Sequence, residues 1–229
     1  MPEASQTSSN RKIPILYQDE SFVIFDKPSG LLVIPTPKNE RYTLQSLAND
    51  ENPRAEDGVR LHPCHRLDRD TSGVIIFARG KKNQQLMMQL FHRQEVKKKY
   101  IAFVHGTFKM RQGEFRSSIK DFNQNRFSTR APAKLAITRF HTVALRKHYS
   151  VAEVFPVTGR TNQIRIQFAE AGFPLVGERK YAFAKDFFLK FRRVALHANE
   201  IDFVHPIVRK PIRVISPLPE DMEEFMRSH

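Results

Sequence analysis

A chain of 229 residues with 38 Lys and Arg against 24 Asp and Glu carries a formal charge of +14, which favours an acidic protein, an anionic membrane surface or a polyanion such as RNA or DNA as partner. The length fits one or two domains at about 150 residues each, and 40% hydrophobic residues supply a core without a disulfide or metal clip. The single cysteine, Cys64, excludes an intrachain disulfide framework and fits a reducing compartment, and no apolar run reaches the ~18 residues that span a bilayer.

Residues 1–12 are polar, poor in Arg and without an apolar stretch, so they match neither a secretory signal nor a transit peptide. They read as a flexible tail, with one domain expected over 13–229 of a soluble, cytoplasmic protein. Ser21 to Phe25 predicts a strand, and Asp26-Lys27-Pro28-Ser29-Gly30 a turn, because Pro fixes φ and Gly permits a positive one. Leu31 to Ile34 is a second apolar run. Thr43 is expected to cap a short helix through Leu47, followed by an exposed loop over Asn49 to Gly58.

Val74 to Ala78 predicts a buried strand. A helix follows over Lys81 to His92, where Leu86, Leu90 and Phe91 share a face, and then a strand over Tyr100 to Val104. Residues 114–157 form a succession of strands. Thr161 is expected to cap a helix through Ala171 that Gly172 stops, with a further helix over Lys185 to Phe191. Ile201–Phe203 and Pro211–Ile215 predict a hairpin, and Glu220–Met226 a last helix. Without a regular βαβ rhythm, the class is α+β: a mixed, mainly antiparallel sheet with flanking helices.

The chain has no GxxxxGK[ST] loop, no GxGxxG and no GxSxG elbow. His62-Pro63-Cys64-His65 has metal-binding residue types, but no second pair stands at zinc spacing, so no metal is expected. Two constellations stand out. The first is His65-Arg66-Leu67-Asp68-Arg69-Asp70-Thr71-Ser72-Gly73, a charged segment entering a buried strand. If extended, it turns Asp68 and Asp70 to the same side, and spacing does not choose between them. The second is Thr158-Gly159-Arg160-Thr161-Asn162-Gln163-Ile164-Arg165, a turn opening a helix, whose arginines suit a phosphate or a carboxylate.

The segment HRLDxxTSG at 65–73 resembles the signature of the RluA-type pseudouridine synthases. Asp26-Lys27-Pro28-Ser29-Gly30-Leu31 resembles that family's KPxGL segment, Lys98-Lys99-Tyr100-Ile101-Ala102 its KxYxA strand, and Gly159 to Arg165 its GRTHQIR motif. Leu196 to Pro206 resembles its LHAxxLxFxHP block, and order and separations agree from Ile15 to Pro217.

The resemblance implies that Asp68 is the catalytic residue of an RNA uridine isomerase. It also implies that Arg165 pairs with Asp68, that Tyr100 stacks on the flipped uracil, and that Arg66 contacts the RNA or fills the space the base leaves. Leu196 is the candidate apolar wall. The chemistry needs an ionised, shielded carboxylate acting as nucleophile or base and no redox change, so no cofactor is implied. The implied partner is RNA, transfer or ribosomal, with no membrane and no obligatory protein partner; a monomer without an added S4-type domain is expected. A silent RNA-binding protein of the same fold is the alternative. The chain departs from the family pattern at Asn162, Gln167, Phe173 and Ala182, which stand where His, His, His and Gly are usual.

Overall fold

The structure is a computed structural model that describes residues 12–50, 59–120, 132–182 and 189–229. Among the described residues ten strands form one sheet, with the order β1-β2-β4-β9-β5-β8-β7-β6 and with β10 beside β9 and β3 beside β4. The strands are β1 (Ile15–Gln18), β2 (Phe22–Lys27), β3 (Leu61–Pro63), β4 (Ser72–Arg79), β5 (Lys97–His105), β6 (Gln112–Lys120), β7 (Ala133–Leu145), β8 (Tyr149–Pro156), β9 (Leu196–Val204) and β10 (Pro211–Ile215). The helices are α1 (Leu44–Asp50), α2 (Gly80–His92), α3 (Gln163–Glu170) and α4 (Glu220–Ser228). The pairings are antiparallel except β4 with β9, so the expected α+β class with a mixed, mainly antiparallel sheet is what the chain builds.

Strand alternation sorts the core. Val23, Phe25, Ile75 and Phe77 pack with Leu31, Val33, Leu44 and Leu67, while Phe22, Ile24, Val74 and Ile76 pack with Met87 and Leu90 of α2. In the other half, Ala102, Val104, Ala152 and Val154 meet Ile164 and Phe168 of α3, and Phe103, Tyr149 and Val151 meet Met222 and Phe225 of α4. Tyr100 touches both the α1 and the α3 clusters, so it stands at their seam. The two halves join where β4 meets β9. Gly73, at φ +109, lets the backbones close there, because a Cβ would run into the Ala198 carbonyl.

Several expectations need correcting. The segment before β4 is a turn: the Thr71 N–H donates to the Asp68 carbonyl at 3.1 Å, so Asp68 and Asp70 are not the same-side pair of an extended strand. Helix α3 starts at Gln163, after Asn162 enters the left-handed region at φ 54, and Thr161 is not its N-cap. The Gln163 side chain instead bonds back into the turn before the helix, with Oε1 accepting from the Arg160 N–H at 3.0 Å and the Thr158 hydroxyl at 2.7 Å. Gly172, at φ +81, follows the helix as expected. Helix α1 runs past Leu47 to Asp50, and its Asn49 bridges to both backbone groups of Leu61, starting β3. The tail except Lys12, the loop at 51–58 and most of the helix expected over Lys185–Phe191 lie outside the described residues; 189–191 are not helical.

Candidate active site

A cavity of about 670 Å³ opens between the 65–71 turn, the end of α2, strand β5 and the segment joining β8 to α3. It is lined by Arg66, Asp68, Tyr100, Arg165 and Leu196 together, so all five residues singled out from the sequence meet in one space. Asp70 is outside it.

The turn that carries Asp68 is tied down from below. Lys27 is fully buried at the end of β2, and its Nζ donates to the carbonyls of Pro28 (2.9 Å), Leu31 (2.8 Å) and Arg69 (3.0 Å). Burial pushes this amine down to about 7, partly offset by Asp70 and Asp68. The Gly30 N–H donates to the Arg69 carbonyl at 2.8 Å, Arg69 Nε donates back to the Gly30 carbonyl at 3.0 Å, and Ser29 Oγ donates to the Asp70 carbonyl at 2.8 Å. The KPSG turn and the HRLD turn are therefore one unit. Behind it, Arg193 holds Asp221 of α4 at 2.6 and 2.9 Å and reaches the Asp70 carbonyl at 3.4 Å.

The histidines of the motifs are structural. His65 Nε2 accepts from the Ile76 N–H at 3.0 Å, and burial pushes its pKa down to about 3, so the ring is neutral. His197 bridges β4 to the end of β10: its Nε2–H faces the Ser216 carbonyl at 3.3 Å, which leaves Nδ1 to accept from Ser72 Oγ at 3.0 Å. Cys64 is a packed thiol, pushed up to about 12 by burial and bonded to the His62 carbonyl.

Asp68 is half-buried. Burial raises its pKa, opposed in order by Arg165, Arg66 and Lys27 and by a hydrogen bond from the Asn162 N–H. The net result is a carboxyl above its ordinary range. Arg165 does not spend its hydrogen bonds on Asp68. Its Nε and Nη2 grip both oxygens of Glu178 at 2.6 and 2.9 Å, and its Nη1 donates to Asn162 Oδ1 at 2.9 Å. The influence of Arg165 on Asp68 is electrostatic, across the cavity. Glu178 has a fully buried side chain and also accepts from the N–H groups of Lys180 and Tyr181. Burial would raise its carboxyl, but Arg165 and those N–H groups hold it below the carboxylate range.

Tyr100 is a neutral phenol, because burial and then the Asp68 charge push its pKa up. Arg66 is exposed at the mouth, and Leu196 is buried at 3% exposure. Of the four departures from the family pattern, only Asn162 lines the cavity. Gln167 donates to the Ala136 carbonyl at 3.0 Å inside the β7–α3 core, and Phe173 joins the ring cluster around Phe108 at 4.7 Å.

Sequence reasoning missed Glu178, which lies thirteen positions beyond Arg165 with no local pattern to mark it. It also missed the buried clamp of Lys27, for which the KPxGL motif was the available signal.

The family model described as RNA pseudouridylate synthase matches residues 21–170. An uncharacterized RNA pseudouridine synthase of Bacillus subtilis is 32% identical, over 94% of this chain and 72% of its own length. The ribosomal large subunit pseudouridine synthase C of Buchnera aphidicola is 32% identical, over 95% and 74%. In three dimensions, the human RNA pseudouridylate synthase domain containing 4 superposes with a TM-score of 0.74 at 22% identity, over 93% of this chain and 91% of that one. The chain belongs to the RluA-type RNA pseudouridine synthases, enzymes that isomerise uridine in RNA.

Proposed function

We propose that this enzyme acts on a uridine flipped out of a loop in ribosomal or transfer RNA, with Asp68 as its reacting carboxylate. The observation that carries this reading is the shared cavity of Asp68, Tyr100 and Arg165. Its volume suits a nucleoside, and flipping gives the carboxylate access to an atom that a stacked duplex hides. The ribosomal target draws support from the printed names of relatives such as the Buchnera enzyme.

The reaction breaks the N1–C1′ bond and forms a C5–C1′ bond; the proton on C5 leaves and N1 gains one, so no electrons are exchanged with a cofactor. Ionised Asp68 serves this chemistry in either of two ways. It attacks C1′ and is displaced by C5, or it takes a ribose proton and returns it after the base has turned. In both routes Arg165, Arg66 and Lys27 favour the charged form that burial opposes. The flat face of Tyr100 holds the detached base, and Leu196 closes the apolar side. The +14 charge supplies phosphate contacts outside the cavity, including Arg146-Lys147-His148, Arg192 and Arg209-Lys210, while Arg193 of the same basic run has its side chain buried against Asp221. The enzyme works as a monomer in the cytoplasm, where a lone buried thiol stays reduced.

The test is tritium release from ribosomal and transfer RNA transcripts labelled with [5-³H]uridine. Release by the wild type and none by Asp68→Ala is the expected result. RNA binding without release by the wild type would favour the silent RNA-binding alternative.

A further inference from the structure

The three lysines that open β5 form one basic run in the sequence, but strand alternation splits them. Lys97 is exposed. Lys99 is neutralised by Glu200 at 3.0 Å and Glu153 at 3.6 Å. Lys98 points the other way: it is half-buried and lines the cavity with Tyr100, beside His65, Phe91 and Pro156.

Among the described residues, no carboxylate lies within ion-pair distance of the Lys98 ammonium and no hydrogen bond satisfies it. Burial pushes its pKa down to about 8, and no anion among the described residues offsets the cost. This sets it apart from Arg165, Arg66 and Lys27, each of which acts on Asp68. A partly dehydrated cation without a counter-charge among the described residues is unfavourable, and an anion entering the cavity would relieve that cost.

We infer that Lys98 binds a backbone phosphate of the RNA beside the flipped uridine, anchoring the target nucleotide within the active cavity. The inference rests on the reading of that cavity as the uridine site. Same-face residues two apart on a strand are separated by about 7 Å, a span comparable to that from a base stacked on Tyr100 to its own backbone phosphate. The uracil carbonyls are neutral acceptors and would leave the charge uncompensated. Lys98 is thus a specificity and positioning residue: it gives the extruded nucleotide an anchor that an unflipped strand does not reach.

The experiment measures tritium release from [5-³H]uridine ribosomal RNA transcripts by wild type, Lys98→Met and Lys98→Arg across a range of salt concentrations. Lys98→Met is expected to raise KM about tenfold with kcat changed less than about threefold. The slope of log KM against log salt should shrink by about 0.7, the share of one phosphate contact on a single strand, and Lys98→Arg should restore both. An unchanged KM and slope in Lys98→Met would overturn the inference. So would a loss confined to kcat, which would move Lys98 to the reacting base, or a lowered melting temperature, which would give it to the fold. Release by the wild type keeps the parent reading standing in all three cases; no release would remove both.

Discussion

On one wall of the cavity, Asp68 rides a turn that the buried amine of Lys27 ties, through the Arg69 carbonyl, to the carbonyls of Pro28 and Leu31. On the other, Arg165 is gripped by the buried carboxylate of Glu178. The first wall immobilises a reactive group by holding the chain around it, leaving the carboxylate itself underbonded and raised in pKa. The second wall immobilises a charge by pairing it directly, at the cost of burying a second charge. The difference separates reactivity from support: the group that must react is positioned through its backbone, while the group that must stay put is held through its side chain.

Removing Asp68 is the sharpest way to break the comparison. Asp68→Asn should lower kcat by at least about 10²–10⁴-fold, while its effect on stability should run the other way. A carboxyl whose folded pKa is raised favours folding most when protonated. That contribution is complete below the unfolded pKa and is lost as pH rises through the folded one. Once Asp68 is ionised, the wild type therefore carries a cost that Asn lacks. Melting temperatures at pH 7 should be higher for Asp68→Asn than for wild type, and the gap should close in acid. A clear drop at pH 7 would mean that Asp68 is held as a structural partner, like Glu178.

Breaking the opposite wall should do the reverse. Glu178→Ala leaves the Arg165 guanidinium, with 12% side-chain exposure, without its main partner, and cutting one side of a buried pair costs about 3–5 kcal/mol. Chemical denaturation should show that loss, with activity falling because the arginine is no longer aimed. Glu178→Gln keeps the shape and one acceptor oxygen but turns the other into a donor facing N–H groups, and should fall between. If Glu178→Ala kept wild-type stability, the buried pair would be incidental and the contrast between the walls would disappear.

The two walls were not equally legible. The turn at 65–73 and its counterpart at 26–31 are contiguous motifs, and each states its chemistry within nine residues. Their mutual docking was not visible, because it runs through carbonyl groups that every residue has. Arg165 was legible as a charge opening a helix, but its partner was not: Glu178 sits beyond the helix in an irregular segment with no period to place it. Local signals also misled. Thr161 has the chemistry of an N-cap, yet the left-handed Asn162 delays α3, and the Gln163 side chain satisfies the free N–H of Arg160. Strands β1 and β3, with four and three residues, are too short to announce themselves, and form because β2 and β4 offer them edges.

Tyr100 belongs to neither wall; it lies on the floor where the two core clusters meet, and it should give the smallest effect. If its task is to present a flat face to the detached base, Tyr100→Phe keeps that face and should retain activity within about tenfold of wild type. Tyr100→Ala loses a stacking contact worth about 1–3 kcal/mol and opens the seam between the clusters, so it should lose both activity and stability. The phenol is neutral throughout the working range because burial and Asp68 hold its proton on, so its hydroxyl contributes no titration to the pH–rate profile. An acid limb set by Asp68 should therefore survive unchanged in Tyr100→Phe. A limb that moved would show that the hydroxyl, rather than the ring, governs the carboxylate.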